Sequence, residues 1–185
     1  MIKLTEILDE IIAAGVKPLR TSRLHELFDF ENAKLPKIQK LGDYAFNFEI
    51  EIGGDMVDVY VDFITTPRED LKLSPRQEKK KSIYNVVFAL GDEMNTNQKA
   101  KTDLKTIGFI MFVVTECVKM FVDSKNPDLL VFFATSKDFT ERGERQKLTM
   151  YKEIAKKHIP SGYSLDNIHS ADGKVGFFIF NIKVK

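Results

Sequence analysis

Between residues 44 and 63 the chain changes face at every residue. Tyr44, Phe46, Phe48, Ile50 and Ile52 alternate with Ala45, Asn47, Glu49 and Glu51. After Gly53-Gly54-Asp55 the alternation resumes, with Val57, Val59, Val61 and Phe63 set against Asp58, Tyr60 and Asp62. A period of two puts each apolar set on one side of a pleated strand, and no helix can gather such a set on one face. Glycines accept the positive φ that a tight hairpin turn requires. The pattern therefore predicts an antiparallel hairpin over 44–52 and 56–65, buried on one face and wet on the other.

Two later stretches read differently. Ile83–Leu90 is almost wholly apolar, and so is Leu129–Ala134. Short runs of this kind are strands covered on both faces. Between them Ile107, Ile110, Met111, Val114, Val118, Phe121 and Val122 recur at helical spacing, which predicts a helix over 102–124 ended by Asn126-Pro127. A second helix is expected over 141–158, with Leu148, Tyr151, Ile154 and Ala155 inward, and a last strand over 174–184. A strand, a helix and a strand form a right-handed crossover, so 83–90 and 129–135 should be parallel neighbours. Helices on both faces would cover them. The expected fold is a three-layer α/β protein, with a central mixed sheet that begins in the antiparallel hairpin and continues through the β-α-β crossover.

The N-terminal part is expected to be helical. Leu4, Ile7, Leu8, Ile11 and Ile12 form one apolar stripe over 4–14, Gly15 and Pro18 end it, and Thr21 or Ser22 can cap a short helix carrying Leu24, Leu27 and Phe28. This divides the chain into an N-terminal helical segment, 1–40, and an α/β domain, 41–185. Residues 66–82, with Pro67, Pro75 and Lys79-Lys80-Lys81, read as a long polar loop, either a solvated linker or an anion-binding lip.

Composition removes several function classes. Lys+Arg total 28 and Asp+Glu 27, a net charge of +1, so no basic excess drives nucleic-acid or anionic-membrane binding. One cysteine, Cys117, excludes an intramolecular disulfide and a thiolate zinc cage. No uncharged apolar run is long enough to span a membrane, and the N-terminus lacks a secretory pattern. Cytosol or a virus particle are the compartments left. His25, His158 and His169 have no ligand spacing, so no metal is expected, and neither a Gly-x-Ser-x-Gly nor a phosphate-loop motif occurs. Cys117 lies among Val113, Val114, Val118 and Phe121, the setting of an inert thiol.

Two clusters can carry chemistry. Glu49, Glu51, Asp58 and Asp62 share the wet face of the hairpin, where close carboxylates can hold a cation or act as a base, or simply solvate a strand. Segment 136–147 places Lys137, Arg142 and Arg145 after the C-terminal end of a central strand, where open α/β sheets bind ligands and anions. Phe139 among these charges offers a ring for stacking.

The element order and the second half of the chain resemble the GNAT acetyltransferase superfamily. The resemblance runs through Tyr84–Leu90, Leu104–Ser124, Pro127-Asp128-Leu129-Leu130-Val131-Phe132-Phe133 and Leu148-Thr149-Met150-Tyr151-Lys152-Glu153-Ile154-Ala155. It implies a GNAT-like fold over roughly 43–184, acetyl-CoA as cofactor, and Tyr151 as the acid that protonates the leaving thiolate, with its hydroxyl in a cleft between 83–90 and 129–135. The family's pyrophosphate loop has the form Arg/Gln-x-x-Gly-x-Gly/Ala. The matching stretch, Asn97 to Gly108, holds Lys99, Lys101 and Lys105 but only Gly108, so charge is present and the paired glycines are not.

The segments Asn126-Pro127-Asp128-Leu129-Leu130-Val131-Phe132-Phe133-Ala134 and Leu148-x-x-Tyr151 also resemble GNAT-like proteins of large tailed phages. Met1 to Glu10 is similar to leaders of phage head proteins, with Leu8-Asp9-Glu10 in the form of a prohead-protease site. Two functions follow from these resemblances. One is a non-catalytic or weakly catalytic protein, virion-associated or host-interacting, without a cofactor and with a protein partner or virion contact made through residues 4–14. The other is an acyl-CoA-dependent N-acetyltransferase.

Overall fold

The computed structural model describes residues 2–3, 30, 33–73, 80–91, 104–133, 141–171 and 175–182. The predicted helices at 4–14 and after Thr21 lie outside the described residues. The elements are β1 (Ile2–Lys3), β2 (Gln39–Lys40), β3 (Ala45–Ile52), β4 (Asp55–Thr65), a 3-10 turn (Arg68–Asp70), β5 (Ile83–Leu90), α1 (Leu104–Lys125), β6 (Leu129–Phe133), α2 (Glu141–His158), β7 (Tyr163–His169) and β8 (Val175–Asn181). Among the described residues the fold is a mixed α/β sheet with two helices, and its strand order is β2-β3-β4-β5-β6-β8-β7.

The hairpin forms as its alternation predicts. Ile52 pairs with Asp55 across Gly53 and Gly54, whose φ angles of 65° and 98° make a two-residue turn that only glycine adopts without strain. Phe46, Phe48, Ile50 and Ile52 of β3 and Val57, Val59, Val61 and Phe63 of β4 are all buried in one core. β5 pairs antiparallel with β4 and parallel with β6, so 83–90 and 129–133 are the expected parallel neighbours.

Both described helices lie on one face of the sheet. Ile107, Ile110, Val114, Phe121 and their neighbours in α1 share a single core with Tyr151, Ile154 and Ala155 of α2. The same core takes Leu130 and Phe132 of β6 and Phe177 and Ile179 of β8. Aromatic rings tie the layers: Phe121 stacks on Phe63 with centroids 3.9 Å apart, and Phe30 packs at 5.5 Å on Phe112 of α1. The expectation of helices on both faces is corrected for the described residues, and the topology gives the reason. The chain passes from β5 through α1 to parallel β6, then through α2 to β7, which is also parallel to β6 because β8 lies antiparallel between them. Both crossovers step across the sheet in one direction, so right-handedness puts both helices on one side. The other face of β6 is covered instead by Leu71 after the 3-10 turn, by Ile83 and by Ile168 and Phe178, which form a small second core.

Three strands were not foreseen. β7 has Ser164, Asp166 and Asn167 among few apolar residues, and β1 and β2 are two residues each, too short for any periodicity. α1 ends as Asn126-Pro127 predicts: Asn126 takes a left-handed φ of 46° and its N–H bonds the Val122 carbonyl at 2.8 Å. Among the described residues no helix is long and apolar enough to cross a membrane.

Candidate functional site where two parallel strands part

β5 and β6 are paired over only three positions, Ile83 with Leu129, Tyr84 with Leu130 and Asn85 with Val131. Beyond Asn85 they part. β5 stays with β4 as far as Leu90, while β6 stays with β8, Phe132 opposite Phe177 and Phe133 opposite Gly176. Gly176 explains the second attachment. A Cβ there would run into the Phe132 carbonyl oxygen and stand 2.7 Å from Cδ1 of Phe133, so the Phe133 ring occupies the space that a side chain on β8 would need.

The closed end of the parting is tied by polar groups. The Asp128 carboxylate accepts the backbone N–H of Lys81 at 2.7 Å and of Ser82 at 3.0 Å, and the Asp128 N–H donates to Ser82 Oγ at 2.8 Å. Burial alone would raise the Asp128 pKa, but these donors and the Lys80 charge outweigh it and hold the carboxyl below the usual carboxylate range. Lys80 is only 7% exposed and donates to the Asn181 carbonyl of β8 at 2.9 Å. Asn181 also donates to Asn126 Oδ1 at 3.1 Å, and the Tyr163 hydroxyl bonds the Pro127 carbonyl at 2.7 Å. Lys80 is thus buried in a strap against β8 rather than in the solvated loop expected of its run, while Lys81 stays exposed and is tied through its backbone N–H. Residues 74–79 lie outside the described residues.

The open end has two sides. On the helical side Phe88 of β5 meets Tyr151 of α2 edge-on, with centroids 6.0 Å apart. Tyr151 is 2% exposed, and its hydroxyl has no solvent contact. On the other face a cavity of about 490 Å³ opens between Ile64 and Thr65 of β4, Asp70 of the 3-10 turn, Asn85 of β5, Phe133 of β6 and Ser170 after β7. At the far end of β5, β1 lies antiparallel to it, with Lys3 opposite Ala89 and Ile2 opposite Leu90. Because β4 already holds one edge of β5 at these residues, β1 occupies the edge that β6 has left. No sequence signal marks this strand; only pairing reveals it.

The remaining predicted residues fall as follows. Glu49 and Asp58 are directly opposed, with Asn47 Nδ2 donating to Asp58 Oδ1 at 2.9 Å. Asp62 lies further along the same face, its pKa raised by burial. No group of three or more His, Cys, Asp or Glu able to hold a metal occurs among the described residues. Lys105 is exposed in the first turn of α1 and Gly108 is buried within that helix. Lys99, Lys101, Lys137 and Phe139 lie outside the described residues, and of Arg142 and Arg145 only the α2 backbone is described. His158 packs against Phe112 at 5.0 Å. Cys117 is buried, and desolvation pushes its thiol pKa up to about 12.

Comparison with protein-family models, with curated proteins and with solved structures finds no match to this chain.

Proposed function

We propose that this chain is a protein-binding member of the GNAT-like group, of the phage type its sequence resembles, which works in the virion or the host cytoplasm without acetyl transfer. The observation that carries this reading is the enclosed Tyr151 hydroxyl. A general acid must come within about 2.6–3.2 Å of the atom it protonates. The Tyr151 ring instead fills the core against Phe88, and the hydroxyl faces no solvent through which a thiolate could arrive. Two observations agree with it. The one glycine of the expected pyrophosphate loop, Gly108, is inside α1 rather than ahead of it. The edge of β5 in the parting is partly taken by the chain's own β1. In this reading the three-layer GNAT-like arrangement is completed by the amphipathic stretch 4–14, or that stretch docks on a partner.

An acyl-CoA-dependent N-acetyltransferase is the second reading, and the parting of β5 and β6 favours it, because the resemblance puts the cofactor cleft between these strands. Incubation with acetyl-CoA and a panel of primary amines separates the two. The proposal expects no acetylated product from the wild-type protein. Product formation that Tyr151→Phe abolishes while the melting temperature holds would replace it with the second reading.

A further inference from the structure

β5 continues for five residues past the last rung it shares with β6, from Val86 to Leu90. One edge of this stretch is fully used by β4. Among the described residues, its other edge is paired only at Ala89 and Leu90, by the two residues of β1. A strand edge offers ladder N–H and C=O groups to any extended chain that can reach it. In strand addition the main chain supplies affinity and alternate side chains supply specificity.

We propose that the Val86–Leu90 edge of β5 is the acceptor for an extended segment of a protein partner, that β1 plugs it in the free chain, and that the segment it takes alternates apolar and basic residues. The proposal rests on the protein-binding reading of this same site. The alternation follows from the two faces of β5. Val86 and Leu90 are buried on the helical face, and Phe88 packs there on Tyr151. Val87 and Ala89 point to the other face, where β4 sets Asp62 opposite Val87 and Tyr60 opposite Ala89, with Asp58 next along. Directly paired residues in a sheet share a face. A residue opposite Leu90 or Phe88 therefore enters apolar surroundings. One opposite Ala89 or Val87 lies over small side chains toward the Asp58 and Asp62 carboxylates, within reach of a lysine or arginine. Glu49, opposite Asp58, extends the same acidic surface. The chain's own Ile2-Lys3 carries this order, apolar opposite Leu90 and basic opposite Ala89.

The test uses full-length protein, the double variant Ile2→Pro with Lys3→Pro, and two fluorescein-labelled peptides, Ser-Ile-Lys-Leu-Lys-Ser and Ser-Ile-Glu-Leu-Glu-Ser. Proline has no N–H to give to a ladder, so the double variant should release the plug. Fluorescence anisotropy should show the lysine peptide binding the variant about tenfold more tightly than the wild type, since a plug lowers apparent affinity by the fraction of chains that are open. The glutamate peptide should bind neither. Equal affinity for variant and wild type overturns the plug, equal binding of the two peptides overturns the acidic-face recognition, and no binding to a variant with wild-type circular dichroism overturns the acceptor. If the variant does not fold, hydrogen exchange on the wild type decides. Saturating lysine peptide should slow the amides of 86–90 and leave those of 83–85 unchanged, and no slowing overturns the proposal. Failure of the peptide with no acetyl transfer removes the partner class alone, whereas acetyl transfer by the wild type removes the protein-binding reading itself.

Discussion

Replacing Asp128 should loosen the closed end of the strand parting, and the size of the effect follows from its bonds. Its carboxylate accepts two backbone N–H groups, from Lys81 and Ser82, where β5 begins. A hydrogen bond to a charged group contributes about 1.5–3 kcal/mol when it is sheltered. The Ser82 bond is part-buried and counts near that range, while the Lys81 bond is exposed and water replaces most of it. Asp128→Ala should therefore cost about 2–3 kcal/mol and lower the melting temperature by about 4–12 °C for a domain of this size. Asp128→Asn keeps one acceptor oxygen but not the charge, and should cost about 1 kcal/mol.

The two variants also differ from wild type in their pH response. The folded Asp128 carboxyl titrates below its unfolded value, so its contribution is complete above the unfolded pKa of about 3.9 and disappears as pH falls through the folded one. Urea denaturation at pH 7, 5 and 3 measures this. The gap between wild type and Asp128→Asn should be constant from pH 7 to 5 and narrow as pH falls from 5 to 3, past the unfolded pKa. A cost below about 0.5 kcal/mol for Asp128→Ala, or a gap that does not narrow between pH 5 and pH 3, refutes the tie.

Two further outcomes follow from packing. Gly176→Ala forces a methyl into the space of the Phe133 ring and the Phe132 carbonyl, so it should destabilise by about 1–3 kcal/mol in chemical denaturation, and a neutral result contradicts the close approach of β8 to β6. Cys117, with its pKa raised to about 12 by burial, should stay unmodified by iodoacetamide at pH 8 in the native protein and react fully in urea; native labelling at the rate of a free thiol contradicts its enclosure.

The hairpin and the parallel pair were legible because each rests on a local pattern. Alternation with a Gly-Gly turn defines β3 and β4, and two apolar runs on either side of a helical stripe define the crossover from β5 to β6. What escaped depends on pairing. β7 is a polar edge strand, Tyr163–His169, in which Asp166 and Asn167 are exposed, so period two is hidden. Without β7 the second crossover is invisible, and the same-face placement of α1 and α2 cannot be derived. The strap was misread for a related reason: Lys80 looks solvated among Lys79 and Lys81 until β8 brings the Asn181 carbonyl to it. The site itself was half legible. Only the family resemblance implies a cleft between 83–90 and 129–135 with Tyr151 in it, and the burial of the Tyr151 hydroxyl and the seating of Ile2–Lys3 on β5 are consequences of tertiary packing.

The proposed function has the parting of β5 and β6 serve a protein partner and not an acyl-CoA. Isothermal titration of acetyl-CoA into the full-length protein tests it most directly, run beside the double variant Ile2→Pro with Lys3→Pro so that a plugged cleft is not mistaken for a missing one. Neither protein should give saturable heat at millimolar acetyl-CoA. Saturable one-to-one binding in the micromolar range, to either of them, contradicts it.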